Sequence, residues 1–218
     1  MKALAQFRRN EGGAVMVEAT IAMTLLLMLT LGFVDFGNAF YQWNAAAKAV
    51  QVGARLASVS PPLAAAIKTV GPTATPGDPI SAGIYNFVCI GGQANCTCTG
   101  SSCPAGTVPL LDTNFSRIFR GDTAYSNNNA CPALAAGQRP GMCHFFPRLR
   151  RQDVQVSYVA TGLGYQTRPG GAVPTIVVEI RPGLPFQFFF LSGLMGFANI
   201  NIPPMRSTVT GEDLANGA

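Results

Sequence analysis

Glu18 is the only charged side chain in an apolar run that otherwise extends from Ala14 to Val34. A carboxylate inside a lipid-spanning helix costs roughly 2.5–3.5 kcal/mol at the helix centre and less near an end. The chemistry open to it there is ion pairing with a cation brought from elsewhere. The cysteines offer a second chemistry. Cys89, Cys96, Cys98 and Cys103 crowd one short stretch, and Cys131 and Cys143 follow, all beyond the apolar run. The single histidine, His144, stands next to Cys143, a pair suited to nucleophilic catalysis only if that sulfur is a free thiolate. Oxidation of Cys143 leaves His144 a loop residue. The ten acidic residues are dispersed, and none forms a local acid–base pair. Gly91-Gly92 has no lysine after it and Gly170-Gly171 falls in a turn, so no phosphate-cradling loop is present. The expectation is a protein that is not an enzyme and uses no cofactor and no metal.

The elements that must position Glu18 follow from the run itself. A helix over Ala14–Val34 is about 31 Å long, the thickness of a bilayer core. Lys2, Arg8 and Arg9 precede it against Glu11 alone, Asp35 stands at its exit, and the next basic residue is Lys48. The positive-inside rule puts the N-terminus in the cytoplasm and the chain from Asp35 onward outside. Beyond the span, Phe33, Phe36, Phe40, Trp43, Ala47, Val50, Ala54 and Ala57 recur at spacings of three and four, an apolar stripe on one helical face. Asp35, Asn38, Gln42, Lys48, Gln51 and Arg55 take the other faces. Ser60-Pro61-Pro62 ends the helix, because proline lacks the amide proton and disfavours helix before it. One helix from Ala14 to Val59 is roughly 69 Å long.

Two simpler readings of this region compete. A cleavable secretory signal would use Ala45-Ala46-Ala47 as its cut site, but the apolar run is longer than a usual signal core and that site lies well past its end. A plain anchor would carry Glu18 incidentally, since charges near helix ends snorkel to the interface.

The residues resemble something narrower. A small residue, Gly13, before an apolar stretch with glutamate at the fifth position after it is similar to a type IV prepilin leader. The run Gly13-Ala14-Val15-Met16-Val17-Glu18-Ala19, then Gly32-Phe33-Val34-Asp35-Phe36-Gly37 and Val52-Gly53-Ala54-Arg55, resembles the TadE-like family of minor pilins (pseudopilins) of tight-adherence pilus systems. Thr20 replaces the tyrosine common after the glutamate in major pilins, which points to a minor subunit. The resemblance covers about Arg8–Ser58 and implies a set of roles. Gly13 precedes a cut made by a prepilin peptidase, Ala14 becomes the new N-terminus, and Glu18 meets the free amine of a neighbouring subunit. It further implies partners in the lipid bilayer, other pilin subunits and the pilus assembly machinery, and a single-pass location in a bacterial inner membrane.

The remainder, about 158 residues, is enough for one domain with its own core. It is apolar and loop-rich: the whole chain is only 11% charged and holds 24 glycines and 16 prolines. A net charge of +5 raises the question of nucleic acid. However, the basic residues are scattered except for Arg148-Leu149-Arg150-Arg151, and so short a run reads as a solvated surface or a headgroup contact. No nucleic acid partner is expected. An even cysteine count in an exported region indicates disulfides. Cys131 with Cys143 is the first expected pair, worth about 3 kcal/mol through the unfolded state. Cys89, Cys96, Cys98 and Cys103 allow three connectivities, with Cys96 and Cys98 pairing outward. Their spacing does not match common zinc sites.

Within this region Leu63–Val70 and Leu111–Arg120 read as short helices, the second capped by Asp112 or Thr113. Ile84–Ile90, Asp153–Ala160 and Thr175–Arg181 read as strands. The last two are an antiparallel pair across a turn holding Gly162, Gly164, Pro169, Gly170 and Gly171. Asn199–Ile202 and Arg206–Val209 add a further strand. The phenylalanine-dense Leu184–Phe197 is too short for a second span and is expected to pack against the helix stripe; an exposed face would instead meet membrane or another subunit.

The expected architecture is α+β: a leader at 1–13, a transmembrane helix at 14–34, a stalk helix at 35–60 and an exported, disulfide-stapled head at 61–218 with a small antiparallel sheet. The expected function is a non-catalytic minor pilin taking part in assembly of a Tad-type pilus. The alternative is a single-span anchored binding module outside any fibre. A tethered oxidoreductase would need a reducible cysteine pair.

Overall fold

The computed structural model describes residues 11–168, 173–190 and 200–214. A single helix, α1, runs over Glu11–Val59 and stops where Ser60-Pro61-Pro62 begins. Three threonine hydroxyls in its apolar half donate back to helix carbonyls: Thr20 to Met16 at 2.7 Å, Thr24 to Thr20 at 2.8 Å and Thr30 to Leu27 at 2.9 Å. Each hydroxyl is thereby satisfied without water, as lipid requires.

The chain divides into two compact units, Met1–Tyr41 with Pro185–Ile200, and Gln42–Leu184 with Asn201–Ala218. In the second, the expected helix at Leu63–Val70 shrinks to a 3-10 turn at Ala65–Lys68. Then follow β1 (Asn86–Ile90), β2 (Asn95–Thr99), β3 (Val108–Pro109), α2 (Asp112–Arg120), α3 (Met142–Phe145), a 3-10 turn at Arg151–Asp153, β4 (Val154–Val159), β5 (Thr175–Ile180) and β6 (Met205–Thr210). The strands form one antiparallel sheet in the order β3-β2-β1-β4-β5-β6.

Register puts the core on one face. Tyr158 lies opposite Phe87 and Ile176, and Val156 opposite Cys89 and Val178. All six are buried, as are Val154 and Ile180. Alternation along β4 and β5 makes this face, because successive side chains of a strand point to opposite sides. Phe115, Ile118 and Phe119 of α2 and Ala46, Ala49, Val50, Ala54 and Ala57 of α1 are buried as well. Gly53 lets Met142 close on α1: a Cβ there would lie 2.5 Å from the Met142 Sδ. Burial pushes the Tyr85 phenol up to about 12.

Three disulfides are present: Cys89–Cys96, Cys98–Cys103 and Cys131–Cys143. The first ties β1 to β2, and the second ties the end of β2 to the loop after it. No described cysteine is free.

The structure corrects several expectations. α2 has Leu111 at its N-cap with no side-chain cap, because Asp112 is engaged elsewhere. Arg151 is buried rather than solvated. Its guanidinium bonds Asp112 Oδ1, donates to the Ser126 carbonyl at 3.1 Å and lies 4.9 Å over the Phe115 ring. Tyr125 donates to the other Asp112 oxygen at 2.9 Å. Asp35 and Gln42, assigned to outer faces of the helix, are both buried. Gln42 accepts from Arg148 at 2.6 Å, so the basic run is bound into the fold at two of its arginines. Part of the turn before β5, Pro169, Gly170 and Gly171, lies outside the described residues, as do Asn199 and segment 191–197.

Candidate functional site

Gly13, Ala14 and Glu18 all lie on α1. A Cβ at Gly13 would meet nothing within 4 Å, so no packing among the described residues requires a glycine there. Ala14 and Glu18 are one turn apart on one face of the helix, separated by about 6 Å along its axis. Glu18 is exposed, surrounded by the exposed apolar side chains of Val15, Val17 and Ile21. Among the described residues, none forms a hydrogen bond or ion pair with its carboxylate. The most apolar window of the helix has no part of its surface buried inside the molecule. The helix therefore presents an apolar surface carrying one carboxylate that has no partner among the described residues, and such a charge is costly in lipid unless a cation pairs with it.

At the exit of the apolar run the first compact unit adds a second feature. The Asp35 carboxylate accepts the backbone N–H of Phe189 at 2.8 Å and of Phe190 at 2.9 Å, while Asn38 donates to the Gln187 carbonyl at 2.8 Å. The Phe186 N–H bonds the Ile200 carbonyl at 2.9 Å, closing the segment at its ends. The phenylalanine segment thus meets the helix through its backbone. Phe189 and Phe190 are 68% and 44% exposed, which overturns the expectation that they form core.

The head offers a cavity of about 460 Å³ lined by hydroxyl residues such as Ser60, Thr113, Ser116 and Thr123, and by Arg117 and Arg139. Its carboxylate, Asp122, is held in a double hydrogen bond by the Arg139 guanidinium, which keeps the Asp122 carboxyl below the usual carboxylate range. It is therefore poorly placed to act as a base at neutral pH. Cys131, Cys143 and His144 bring their ligand atoms within 4.8 Å of one another. Both sulfurs are joined in a bridge, so neither is a thiolate. His144 Nδ1 accepts the Gly141 N–H at 3.1 Å, leaving Nε2–H to donate to the Pro132 carbonyl at 3.0 Å. This histidine fastens α3 to the preceding loop.

Of the residues singled out from sequence, Gly13, Ala14 and Glu18 thus lie close together on one helix, while the cysteines lie apart in the head as three bridges. Sequence reasoning missed the partner role of Asp35. Its signal was available, an acid at the exit of an apolar run with a phenylalanine-dense segment still unplaced. The family model described as TadE-like protein matches residues 13–55, a stretch that contains Gly13, Ala14, Glu18 and Asp35, while the head lies outside the match. No curated protein and no solved structure matches the chain.

Proposed function

We propose that this chain, a TadE-like protein over residues 13–55 and so associated with the Tad pilus system, is a membrane-anchored minor pilin (pseudopilin). On this reading a prepilin peptidase cuts after Gly13 and residues 14–34 hold the subunit in the inner membrane with its N-terminus cytoplasmic. The stretch 35–60 forms a stalk, and 61–218 is the exported head. The subunit joins other pilin subunits through its helix. The observation that carries the reading is the exposed, unpartnered Glu18 on a surface that no other part of the described chain covers.

A newly made amine at Ala14 supplies the missing cation. Because Ala14 and Glu18 share a face, two neighbouring helices shifted by about one turn along their axes bring amine to carboxylate. Each such pair removes an isolated charge from lipid, and misaligned neighbours leave it unpaired, so the pair sets axial register. The disulfides fit export, since such bridges persist in oxidising compartments. The cavity beside Arg117 and Arg139 favours a second reading, in which the helix is a tether and the head binds a ligand outside any fibre.

Incorporation into fibres separates the two. Cells carrying Glu18→Ala should retain the protein in membranes but lose it from the sheared pilus fraction, about tenfold or more by immunoblot. Undiminished incorporation of that variant would refute the assembly role of Glu18.

A further inference from the structure

We propose that the Phe186–Phe190 segment is a membrane-interface anchor, held against the exit of the span by Asp35 and seated in the headgroup layer of the leaflet where α1 emerges. This rests on residues 14–34 crossing the bilayer, and extends it to a second point of lipid contact.

Location comes first. Asp35 directly follows the apolar run, and the hydrocarbon boundary of a bilayer falls where such a run ends. The loop is fixed to the helix at Asp35 and Asn38, positions only about 4.5 Å apart along the axis. It therefore sits within the depth of one headgroup layer, roughly 5–7 Å. What the loop presents there is aromatic. Phe189 and Phe190 are exposed, and so are Phe33, Phe36, Phe40 and Tyr41 of the same unit. Aromatic rings in a belt at the end of a span occupy the interface.

The attachment is chemically suited to that place. Asp35 is 0% exposed, yet it carries two charge-assisted bonds from consecutive amides. A carboxylate at the lipid edge is thereby supplied with donors, and two backbone N–H groups of an irregular segment are kept from facing hydrocarbon unsatisfied. The partner is lipid and not an acidic or basic protein surface by charge as well: no Lys, Arg, Asp or Glu occurs from Pro185 to Ile200. Seating should therefore need no anionic lipid.

The test places the full-length protein in phosphatidylcholine vesicles, with Phe189→Trp in a Trp43→Phe background. Lipids brominated either near the headgroup or near the chain end serve as quenchers. The indole at position 189 should lose roughly half its emission to the shallow quencher, little to the deep one, and equally so when anionic lipid is added. Leu25→Trp in the same background reports the span and should be quenched by the deep quencher. Quenching at 25 without quenching at 189 overturns the anchor alone; a blue-shifted but unquenched emission at 189 assigns the loop to a protein contact and does the same. No quenching at 25 overturns the span, and the anchor with it. Adding Asp35→Ala should abolish most quenching at 189 and leave that at 25 unchanged; unaltered quenching at 189 would remove Asp35 from the account.

Discussion

The Asp35 carboxylate accepts the amide of Phe189 at 2.8 Å across 154 residues of chain. Together with the bond to Phe190 it fixes an irregular, aromatic segment to a point on a helix that is otherwise regular. Truncation to alanine removes the acceptor that these two amides have among the described residues. Two bonds to an ionised group, less their replacement by solvent, amount to about 2 kcal/mol. In Asp35→Ala the Phe189 and Phe190 amides should exchange with deuterium roughly 30-fold faster, while amides of β4 and β5 keep their rates. Unchanged exchange at 189 and 190 would show that the segment is held by something other than this carboxylate.

Arg151 is a buried charge of the head. It is only 3% exposed, and bonds Asp112 and the Ser126 carbonyl while covering Phe115. Burial pulls its guanidinium below the ordinary arginine value, and Asp112 works the other way. Arg151→Ala leaves Asp112 with Tyr125 in place of its cationic partner and opens a gap over the ring. A cost of about 3–5 kcal/mol in denaturant midpoint analysis of the detergent-solubilised protein is expected. Arg151→Met, which keeps the packing stem, should cost clearly less than Arg151→Ala. Equal costs for the two would mean that the charge network alone matters.

Asp122 and Arg139 give a pH signature. The Arg139 hydrogen bonds hold the Asp122 carboxyl below its ordinary range, so the folded state binds that proton less readily than the unfolded chain. The pair's contribution is fully present above the unfolded carboxyl pKa of about 3.9 and is lost as pH falls through the depressed folded value. Both groups are substantially exposed, at 36% and 65% of their side chains, so solvent screening limits the contribution to about 0.2–1 kcal/mol. The stability advantage of the wild type over Asp122→Asn should be steady from neutral pH to about 5 and shrink as pH falls below the unfolded value of about 3.9 and through the depressed folded value. A gap that persists in strong acid would assign the effect to packing.

What was legible in the sequence was what depends on local pattern. The apolar run, the three-and-four spacing and Ser60-Pro61-Pro62 placed α1 and its end at Val59. Alternation in Val154–Val159 and Thr175–Ile180 placed the central antiparallel pair, and with it the α+β architecture. The Cys131–Cys143 bridge followed from a short loop closed at both ends. What was hidden depends on partners far along the chain. β2 reads as a cysteine cluster because its alternation is of Cys96 and Cys98 with polar residues, and β3 is only two residues long. Asp35 and Gln42 read as outward-facing because nothing near them shows that Phe189, Phe190 and Arg148 arrive opposite. Glu18 is different again. Its residue type and place were legible at once, but its partner belongs to no described part of this chain.

The central claim concerns the N-terminus of the mature subunit. Intact-mass measurement of the protein purified from its own membranes should give a chain beginning at Ala14, and Gly13→Leu should restore the leader without disturbing the fold, since no described residue lies within 4 Å of a Cβ at position 13. A native protein that begins at Met1, or a normally shortened product from Gly13→Leu, would contradict the amine–carboxylate pairing on which the proposed assembly rests.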